Sequence, residues 1–393
     1  MLKIIHVHDY YQNPGGEDTV FAAEVALLQS YGHKVITYTD YNKRIQEMSP
    51  VGVAIQVLWS QPSYNKINKL IQMEKPDVVH FHNTFPLISP SGYYACHANE
   101  VPVVQSLDNP RLICPAATFY RNGRLCQDCL GKTPPLPGIV HGCYHGSRLQ
   151  TAVIASMLTF HRWINTWNHM VDAYLVATEF YRQKFIAGGL PEEKIIVKPH
   201  FTHSNPKPRS LRSQDDYVLF IGRLDPEKGI RTLLKAWKGL NIPLIIRGDG
   251  QLEQECRDFL VDNQKKIIKI IDRLLPDELS QLIINARFLI WPSEGYYETF
   301  GMVAVECFAY GIPVIASNIG VMAEIVKNGE TGLLFTPGDP TDLATKAEWL
   351  WGHPEESARL GRNAHHEYEE KYKPEINYQM LMDVYSRVMA IKK

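Results

Sequence analysis

The feature that most constrains the fold of this chain is a regular alternation of short apolar runs with helix-like patterns along nearly its whole length. Such alternation is typical of βαβ units, whose strands lie parallel in one sheet. It breaks once, at residues 199–216, where several prolines are followed by Ser and Gln, and then restarts. A break of this composition indicates an interdomain linker. The sequence therefore predicts two α/β domains, each a doubly wound parallel sheet.

The apolar runs predict strands at Leu2–His8, Lys34–Thr39, Asp77–His82, Pro102–Leu107, Ala173–Ala177, Lys194–Lys198, Tyr217–Gly222, Pro243–Arg247, Ile267–Ile271, Phe288–Pro292 and Pro313–Ala316. Helices are predicted to begin near Glu17, Tyr64, Ser91, Ser147, Glu179, Gly229, Gln251, Pro276, Thr299 and Asp339. The first domain is placed at residues 1–205 and the second at 206–374. A C-terminal helix at about 375–393 is expected to pack back on the first domain. Ligands of such sheets bind at the carboxyl ends of the strands, so we expect a cleft between the two domains.

Charge and apolar content exclude some classes of function. The 393 residues include 41 Lys and Arg against 42 Asp and Glu, a balance that disfavours nucleic-acid binding. No apolar stretch approaches the roughly 20 residues that span a membrane, and the apolar run at the N-terminus is too short for a signal peptide. These features predict a cytoplasmic protein, whose cysteines would be reduced or metal-bound.

Three motifs suit a nucleotide ligand. Gly222-Arg223 and Lys228-Gly229 place two cations around a turn into a helix. Two interpretations suit this arrangement equally: a binding site for a diphosphate, or an ordinary turn whose charges are solvated. Glu298 precedes a predicted helix and Glu306 lies two turns inside it. The first amide groups of that helix are expected to receive phosphate oxygens, and Glu306 to accept hydrogen bonds from a ribose. Taken alone, such a pair is more often a capping and a surface glutamate. A third motif, Gly15-Gly16 after the first strand, is most often merely a turn.

Together these motifs resemble family 4 of the glycosyltransferases, which are retaining, metal-independent enzymes of the GT-B fold. The resemblance covers nearly the whole chain, with the Glu298-to-Glu306 spacing as its firmest part. Its other motifs are Gly15-Gly16, Gly222-Arg223, Lys228-Gly229, Gly248-Asp249-Gly250, Gly311-Ile312-Pro313-Val314-Ile315 and Thr331-Gly332-Leu333-Leu334-Phe335. It implies two Rossmann-like domains that face each other across a cleft, with the donor held mainly by the second. It also implies that no cofactor is required for catalysis.

The resemblance implies specific roles. Arg223 and Lys228 would hold the donor diphosphate and offset the charge of the leaving group. Glu298 would face the donor sugar. Donor-binding roles follow for Gly15, Gly16, Gly222, Gly248, Arg273, Leu274, Thr299, Phe300, Gly301, Met302 and Glu306. The acceptor hydroxyl would attack on the face that the leaving group departs from, and a donor phosphate oxygen would take its proton.

One position departs from the pattern. Many relatives carry a His after the fourth strand, where this chain has Asp108 within Ser106-Leu107-Asp108-Asn109. A carboxylate there can bind a sugar hydroxyl but is repelled by a diphosphate, so altered donor choice, weak activity and an inactive protein remain open. His82, Asn83 and Arg111 are predicted to contact the acceptor.

The expected function is transfer of a hexose from a nucleotide sugar, UDP-linked by preference and GDP-linked as an alternative, to a glycan, glycolipid or polysaccharide precursor. A catalytically impaired GT-B protein that binds nucleotide sugar or a partner is the second hypothesis. A nucleotide-sugar epimerase on the same fold is the third.

Two features of the first domain leave metal binding open. Its insertion, residues 110–146, carries Cys114, Cys126, Cys129 and Cys143, which suit either a structural zinc site or buried reduced thiols. The second feature is the His6/His8 and His80/His82 pairs at two strand ends. Cleft-lining or core histidines are favoured over a metal site at these positions, because no carboxylate motif accompanies them.

An apolar helix is predicted over residues 147–170, with Trp163 and Trp167 among its side chains. Packing on its own domain is the favoured interpretation. The alternative is contact with a lipid-linked acceptor or with the inner face of the membrane.

Overall fold

The structure, a computed structural model, describes residues 1–12, 15–202, 217–263, 267–272, 274–296 and 298–391. These residues form two compact units. Unit 1 comprises Met1–Phe119, Gln127–Pro199 and Asn377–Lys393, and unit 2 comprises Tyr120–Cys126 and His200–Ile376. The predicted boundary at 205/206 and most of the predicted linker lie outside the described residues. The short segment 120–126 belongs to unit 2, although the sequence placed the whole insertion in the first domain.

Unit 1 is built on a parallel sheet of six strands in the described residues, in the order β2-β1-β3-β4-β7-β8. Its strands are β1 Lys3–Tyr10, β2 Lys34–Tyr41, β3 Val78–Phe81, β4 Val103–Ser106, β7 Ala173–Val176 and β8 Ile195–Val197. Its helices are α1 Gly16–Ser30, α2 Pro50–Leu58, α3 Gln61–Glu74, α4 Ser91–Ala98, α5 Leu136–His141, α6 Arg148–Trp163, α7 Thr166–His169, α8 Glu179–Ala187 and most of α16 Pro374–Ile391. The central strands β3, β4 and β7 are buried at every residue, as expected of strands covered on both faces.

Unit 2 repeats this plan with a second parallel sheet of six described strands, ordered β11-β10-β9-β12-β13-β14. Its strands are β9 Val218–Ile221, β10 Leu244–Arg247, β11 Ile268–Ile271, β12 Phe288–Trp291, β13 Val314–Ser317 and β14 Gly332–Phe335, together with the separate hairpin of β5 Tyr120–Arg121 and β6 Arg124–Leu125. Its helices are α9 Ile230–Trp237, α10 Glu253–Asn263, α11 Pro276–Asn285, α12 Met302–Ala309, α13 Gly320–Ile325, α14 Pro340–Gly352 and α15 Pro354–Lys371.

The C-terminal helix α16 packs on the sheet of unit 1. Leu381, Val384 and Tyr385 share one buried cluster with Ile4 of β1 and Val104 of β4. Tyr385 also brings its hydroxyl within hydrogen-bonding distance of His80 and His6. The apolar and aromatic pattern of the last turns therefore corresponds to a helix that covers one face of this sheet.

The predicted helix over residues 147–170 is divided in two. Asn165 lies between α6 and α7 with φ of 55°, a left-handed backbone conformation that ends a helix. One face of α6 is buried, at Ile154, Met157 and Leu158, because α6 packs against α2 and α5. Packing on its own unit therefore accounts for the buried face of α6, while Leu149, Phe160 and Trp163 remain exposed. In the ranges described, each helix is too short or too polar to cross a membrane.

Candidate functional site

In unit 2 the motif residues collect at the carboxyl ends of three neighbouring strands. β9 lies between β10 and β12, so the chain leaves β9 towards one side of the sheet and later returns on the other side. Such a reversal is the position where open α/β sheets bind ligands. Gly222 and Arg223 follow β9, Gly248 follows β10, and the loop that leads to Glu298 follows β12. The strand order therefore brings three sequence motifs to one edge.

Two glycines allow these loops to touch. A Cβ on Gly248, whose φ is +156°, would lie 1.8 Å from the carbonyl oxygen of Gly222, and a Cβ on Gly229 would lie 1.8 Å from that of Pro292. Both positions therefore require glycine for backbone packing. At Gly222 a Cβ would meet only the Phe220 ring, at 3.4 Å, which is an ordinary contact. The fold does not explain the glycine at 222, and a closely approaching ligand would.

The centre of this edge is an ion pair between Lys228 and Glu298. The two side chains are only 14% and 15% exposed. Glu298 also accepts hydrogen bonds from Ser293 Oγ at 3.0 Å and Trp291 Nε1 at 3.4 Å. Burial acts to raise the pKa of Glu298, but Lys228 and these donors outweigh it and hold the pKa below its ordinary value. Glu298 is thus an anion, and Lys228 is fixed at the carboxyl end of the sheet.

Arg223 is the more exposed cation, with 53% of its side chain accessible. Its guanidinium lies 2.8 Å from Asp225 and 3.3 Å from Glu227. Its two carboxylate partners are only 6% and 17% exposed. The half-exposed guanidinium keeps donors that face solvent, and an incoming diphosphate would compete with these carboxylates for it.

The first turn of α12 follows the loop after β12 and lies at this edge. The helix begins at Met302 after Gly301, which has φ of 100° and, in the described chain, no side-chain cap. The first amides of a helix have no partner within it, so they are available to phosphate oxygens. Phe300 is buried, with its ring 5.1 Å from that of His200. Phe300 therefore anchors the loop by its side chain, whatever its backbone binds.

Glu306 lies in α12 near Arg247, a residue that sequence reasoning missed. Burial raises the pKa of Glu306 to about 7, although Arg247 acts to lower it. The Nε–H of Arg247 is buried and donates to no partner among the described residues. The only signal for Arg247 in the sequence was its position at the end of β10, directly before Gly248-Asp249-Gly250. Together the two side chains offer an acceptor and a donor to one ligand.

Of the two donor-binding residues predicted between β11 and α11, the structure describes one. Leu274 lies between β11 and α11 and is half-buried, whereas Arg273 lies outside the described residues.

Unit 1 has a pocket of its own at the carboxyl ends of β3 and β4. About 550 Å³ of empty space, open solvent included, is lined by His82, Asn83, Asp108 and Arg111 among other residues. Asp108 is 9% exposed, and one of its carboxylate oxygens lies 3.6 Å from Nδ1 of His82. The residue that departs from the family pattern therefore faces a histidine of its own unit.

Glu17 is a second carboxylate in this pocket that sequence reasoning did not single out. It accepts hydrogen bonds from Tyr11 at 2.9 Å and from Asn109 at 2.9 Å. Burial, and then the charge of Asp108, raise its pKa to about 7. Its place directly after Gly15-Gly16 was the available signal.

The predicted acceptor residues differ in what they offer to a ligand. The amide of Asn83 donates to the carbonyl oxygens of Asp9 and Phe85 and accepts from the Phe85 amide, so it holds the loop after β3. The guanidinium of Arg111 lies 4.2 Å from the centroid of the Phe85 ring and donates to Pro115. Arg111 thus keeps donors for a ligand, whereas Asn83 has its amide engaged.

Gly15 and Gly16 are exposed at the start of α1. A Cβ at either position would meet no described atom within 4 Å, and neither has a positive φ. Packing therefore does not require glycine at these positions, which suits the close approach of a ligand.

The insertion shows no assembled metal site in the described residues. Among all the described residues, one set of three or more possible metal ligands is close enough to hold an ion, and it consists of His6, Glu24, His80 and His82. The four cysteines of the insertion do not form such a set, and they form no disulfide. Zinc binding by the insertion stays a prediction, to be tested by elemental analysis.

Comparison with known proteins gives its most direct result for unit 2. Residues 202–367 match the family model for glycosyl transferases group 1. An uncharacterized glycosyltransferase of Methanocaldococcus jannaschii, MJ1178, is 37% identical over 155 residues, which are 39% of this chain and 44% of that protein. The capsular polysaccharide biosynthesis glycosyltransferase CapM of Staphylococcus aureus is 26% identical over 234 residues, 54% of this chain and 60% of CapM. The chain thus spans about half the length of these curated relatives.

The whole chain resembles solved structures at the level of the fold. Anabaena HepE (Alr3699) in complex with UDP aligns over 98% of this chain and 100% of its own, with a TM-score of 0.69 and 18% identity. With two parallel sheets in the described residues, this likeness confirms the predicted α/β class: the fold is GT-B, with two Rossmann-like domains.

Proposed function

We propose that this chain is a retaining glycosyltransferase. It transfers a hexose from a nucleotide sugar, UDP-linked by preference and GDP-linked as an alternative, to a hydroxyl of a glycan, glycolipid or polysaccharide precursor. The observation that carries the proposal is the cluster of Arg223, Lys228 and Glu298 at the carboxyl ends of β9 and β12, beside the N-terminus of α12. Two cations and a helix N-terminus at one edge suit a diphosphate.

The comparisons support both halves of this proposal. The match to group 1 glycosyl transferases covers the residues of unit 2 that form the cluster. HepE, which shares the fold, was crystallised with UDP, and this favours a UDP-linked donor. CapM acts in capsular polysaccharide biosynthesis, and this favours a glycan acceptor.

In the proposed reaction Lys228 and Arg223 hold the diphosphate and stabilise the negative charge that develops on it as the glycosidic bond breaks. Such preorganised cations lower the barrier because they need not reorient during the reaction. The acceptor oxygen attacks the anomeric carbon on the face that the leaving phosphate departs from, and a phosphate oxygen takes its proton. Glu298 orients Lys228 and faces the sugar, and Glu306 accepts hydrogen bonds from the ribose. No metal or other cofactor takes part.

The pocket of unit 1 is assigned to the sugar acceptor in this proposal. Arg111 and Asp108 line it, and paired charged groups of this kind bind sugar hydroxyls as donor and acceptor.

The test is nucleotide release from a panel of UDP-, GDP- and ADP-sugars, with and without oligosaccharide acceptors. We expect release from one donor class, and we expect Arg223→Ala and Lys228→Ala each to lower it by a few kcal/mol of transition-state stabilisation, about 100-fold or more. Lys235→Ala is the matched control, because Lys235 is an exposed cation on α9 of the same unit.

Asp108→His, run beside the unmodified chain, separates the remaining outcomes. Release only from Asp108→His would mean a donor site that the carboxylate disables. Normal turnover in Arg223→Ala or Lys228→Ala would refute the diphosphate assignment. If neither the unmodified chain nor any variant released nucleotide, and none bound nucleotide, the proposed activity would be refuted.

A further inference from the structure

Four buried side chains of unit 1 meet on one face of its sheet. His6 of β1 and His80 of β3 are directly paired across the two strands, and His82 lies two residues beyond His80, on the same side by strand periodicity. Glu24 reaches them from α1, the helix after β1. Each of the four is at most 2% exposed. The carboxylate whose absence from the sequence pattern counted against a metal is supplied by a neighbouring helix.

The distances between these groups match a tetrahedral ion. One ligand atom of each residue lies within 4.8 Å of those of the other three. His6 Nδ1 is 3.2 Å from His82 Nε2, and Glu24 Oε1 is 3.1 Å from His80 Nδ1 and 3.5 Å from His82 Nε2. Bonds of about 2.0–2.1 Å to zinc place neighbouring tetrahedral ligands about 3.3 Å apart. Three of the six edges therefore already have the length that the ion requires.

Glu24 Oε1 is fully buried, and none of its contacts with described residues meets hydrogen-bond geometry. Its neighbours are the imidazoles of His80 and His82, at 3.1 and 3.5 Å, which pair with its charge only when they are protonated. A cation between Glu24 and the imidazoles would give this buried oxygen a direct partner with the imidazoles neutral.

A second atom of His6, His80 and Glu24 is hydrogen-bonded from outside the cluster, whereas that of His82 faces a carboxylate beyond hydrogen-bond distance. His6 Nε2 lies 3.3 Å from Tyr385 Oη, and His80 Nε2 lies 2.9 Å from Ser106 Oγ. His82 Nδ1 faces Asp108 at 3.6 Å, and Lys198 donates to Glu24 Oε2 at 2.8 Å. Partners of this kind fix the tautomer and orientation of metal-ligating side chains. Only Tyr385 would change its contacts, because its hydroxyl also lies 2.8 Å from His80 Nδ1.

We propose that His6, Glu24, His80 and His82 form a closed, four-coordinate structural site for a divalent transition ion, zinc being the best fit to three imidazoles and one carboxylate. The ion ties β1, β3 and α1 together beneath the unit-1 pocket. Through His82 it also orients the Asp108 carboxylate that lines this pocket. The Lys198 ammonium opposes the charge of the ion, and the carboxylates of Glu24 and Asp108 offset it.

The test is metal binding by the full chain, purified without a histidine tag or chelator and then measured by elemental analysis. We expect one zinc per chain that survives in Cys126→Ser/Cys129→Ser. Glu24→Gln and His6→Asn should lose the ion, and Ser106→Ala should weaken its affinity by 10- to 100-fold. His161→Asn is the matched control, because it also removes a buried histidine from unit 1.

Replacement by Co²⁺ keeps the test valid if a variant fails to fold, since it uses the unmodified chain. Tetrahedral Co²⁺ bound by nitrogen and oxygen gives visible d–d bands without the near-ultraviolet charge-transfer band of a thiolate ligand. That spectrum is the expected result. Cobalt bands that are all lost with the cysteines, zinc that disappears with them, or a chain that binds neither ion would overturn the proposal.

Discussion

In the proposed donor site the ionised carboxylate of Glu306 accepts hydrogen bonds from the ribose, so donor affinity should depend on pH. Burial raises the pKa of Glu306 to about 7. The ionised fraction is then about 0.1 at pH 6 and about 0.9 at pH 8. The association constant for the nucleotide sugar should therefore rise by close to tenfold, or about 1.3 kcal/mol, over these two pH units.

The same ionisation changes the stability of the fold in the opposite direction. Because the folded-state pKa is raised above 4.5, the folded protein holds this proton more tightly than the unfolded chain does. The contribution of Glu306 to the free energy of unfolding therefore falls as the pH rises from about 4.5 to about 7 and is level above that. Tighter donor binding and lower stability should appear over overlapping pH ranges.

The assay is titration calorimetry with the nucleotide sugar selected by the release panel, at constant ionic strength from pH 6 to pH 8. A nucleotide sugar is preferred to the free diphosphate because its phosphates are all esterified and do not titrate in this range. Glu306→Gln should bind with little dependence on pH, and Glu17→Gln should keep the full dependence, although the pKa of Glu17 is also about 7. A flat profile in the unmodified chain, or an unchanged slope in Glu306→Gln, would refute the reasoning.

Three further changes test the edge of unit 2 and the first glycine turn. Lys228→Met leaves Glu298 buried without its cation and should lower the free energy of unfolding in urea by up to about 3 kcal/mol. The double variant Lys228→Met/Glu298→Gln should recover most of this loss. An equal loss in the single and the double variant would contradict the pairing. Gly301→Ala should destabilise by about 2 kcal/mol or more, because φ is +100° and the new Cβ would lie 2.0 Å from the Trp291 ring; a normal melting temperature would contradict this. Gly16→Ala should change stability by less than about 0.5 kcal/mol yet lower donor turnover, and unaltered turnover would refute the predicted donor-binding role of Gly16.

The sheets were predictable because each strand is a short apolar run bounded by turn residues. The predicted runs correspond to all strands of both sheets except β14, whose Gly332 lies too close to the Val314 carbonyl for any side chain. Burial on both faces removes the period-2 signal but leaves a continuous apolar run, as in β12 at Phe288–Trp291. The strand order then brings the motif loops to one edge of the unit-2 sheet, where open α/β sheets bind ligands.

Individual partners were less predictable, because they are far apart in the chain. Lys228 and Glu298 are separated by 70 positions, and only the resemblance to a family suggested that they belong to one site. Arg247 had no such support. Its position became informative only when the fold placed it near Glu306.

Asp108 shows why a substitution at one family position cannot be judged by that position alone. Considered with a diphosphate, a carboxylate in place of His brings repulsion. In the structure His82 lies 3.6 Å away, and although burial acts to lower the pKa of His82, Asp108 and Glu24 raise it to about 9. The carboxylate therefore faces a protonated imidazole when no metal is bound, or an imidazole fixed by the ion when one is. In either state part of its charge is offset within unit 1, so repulsion by Asp108 is a weaker argument against activity than the sequence alone made it.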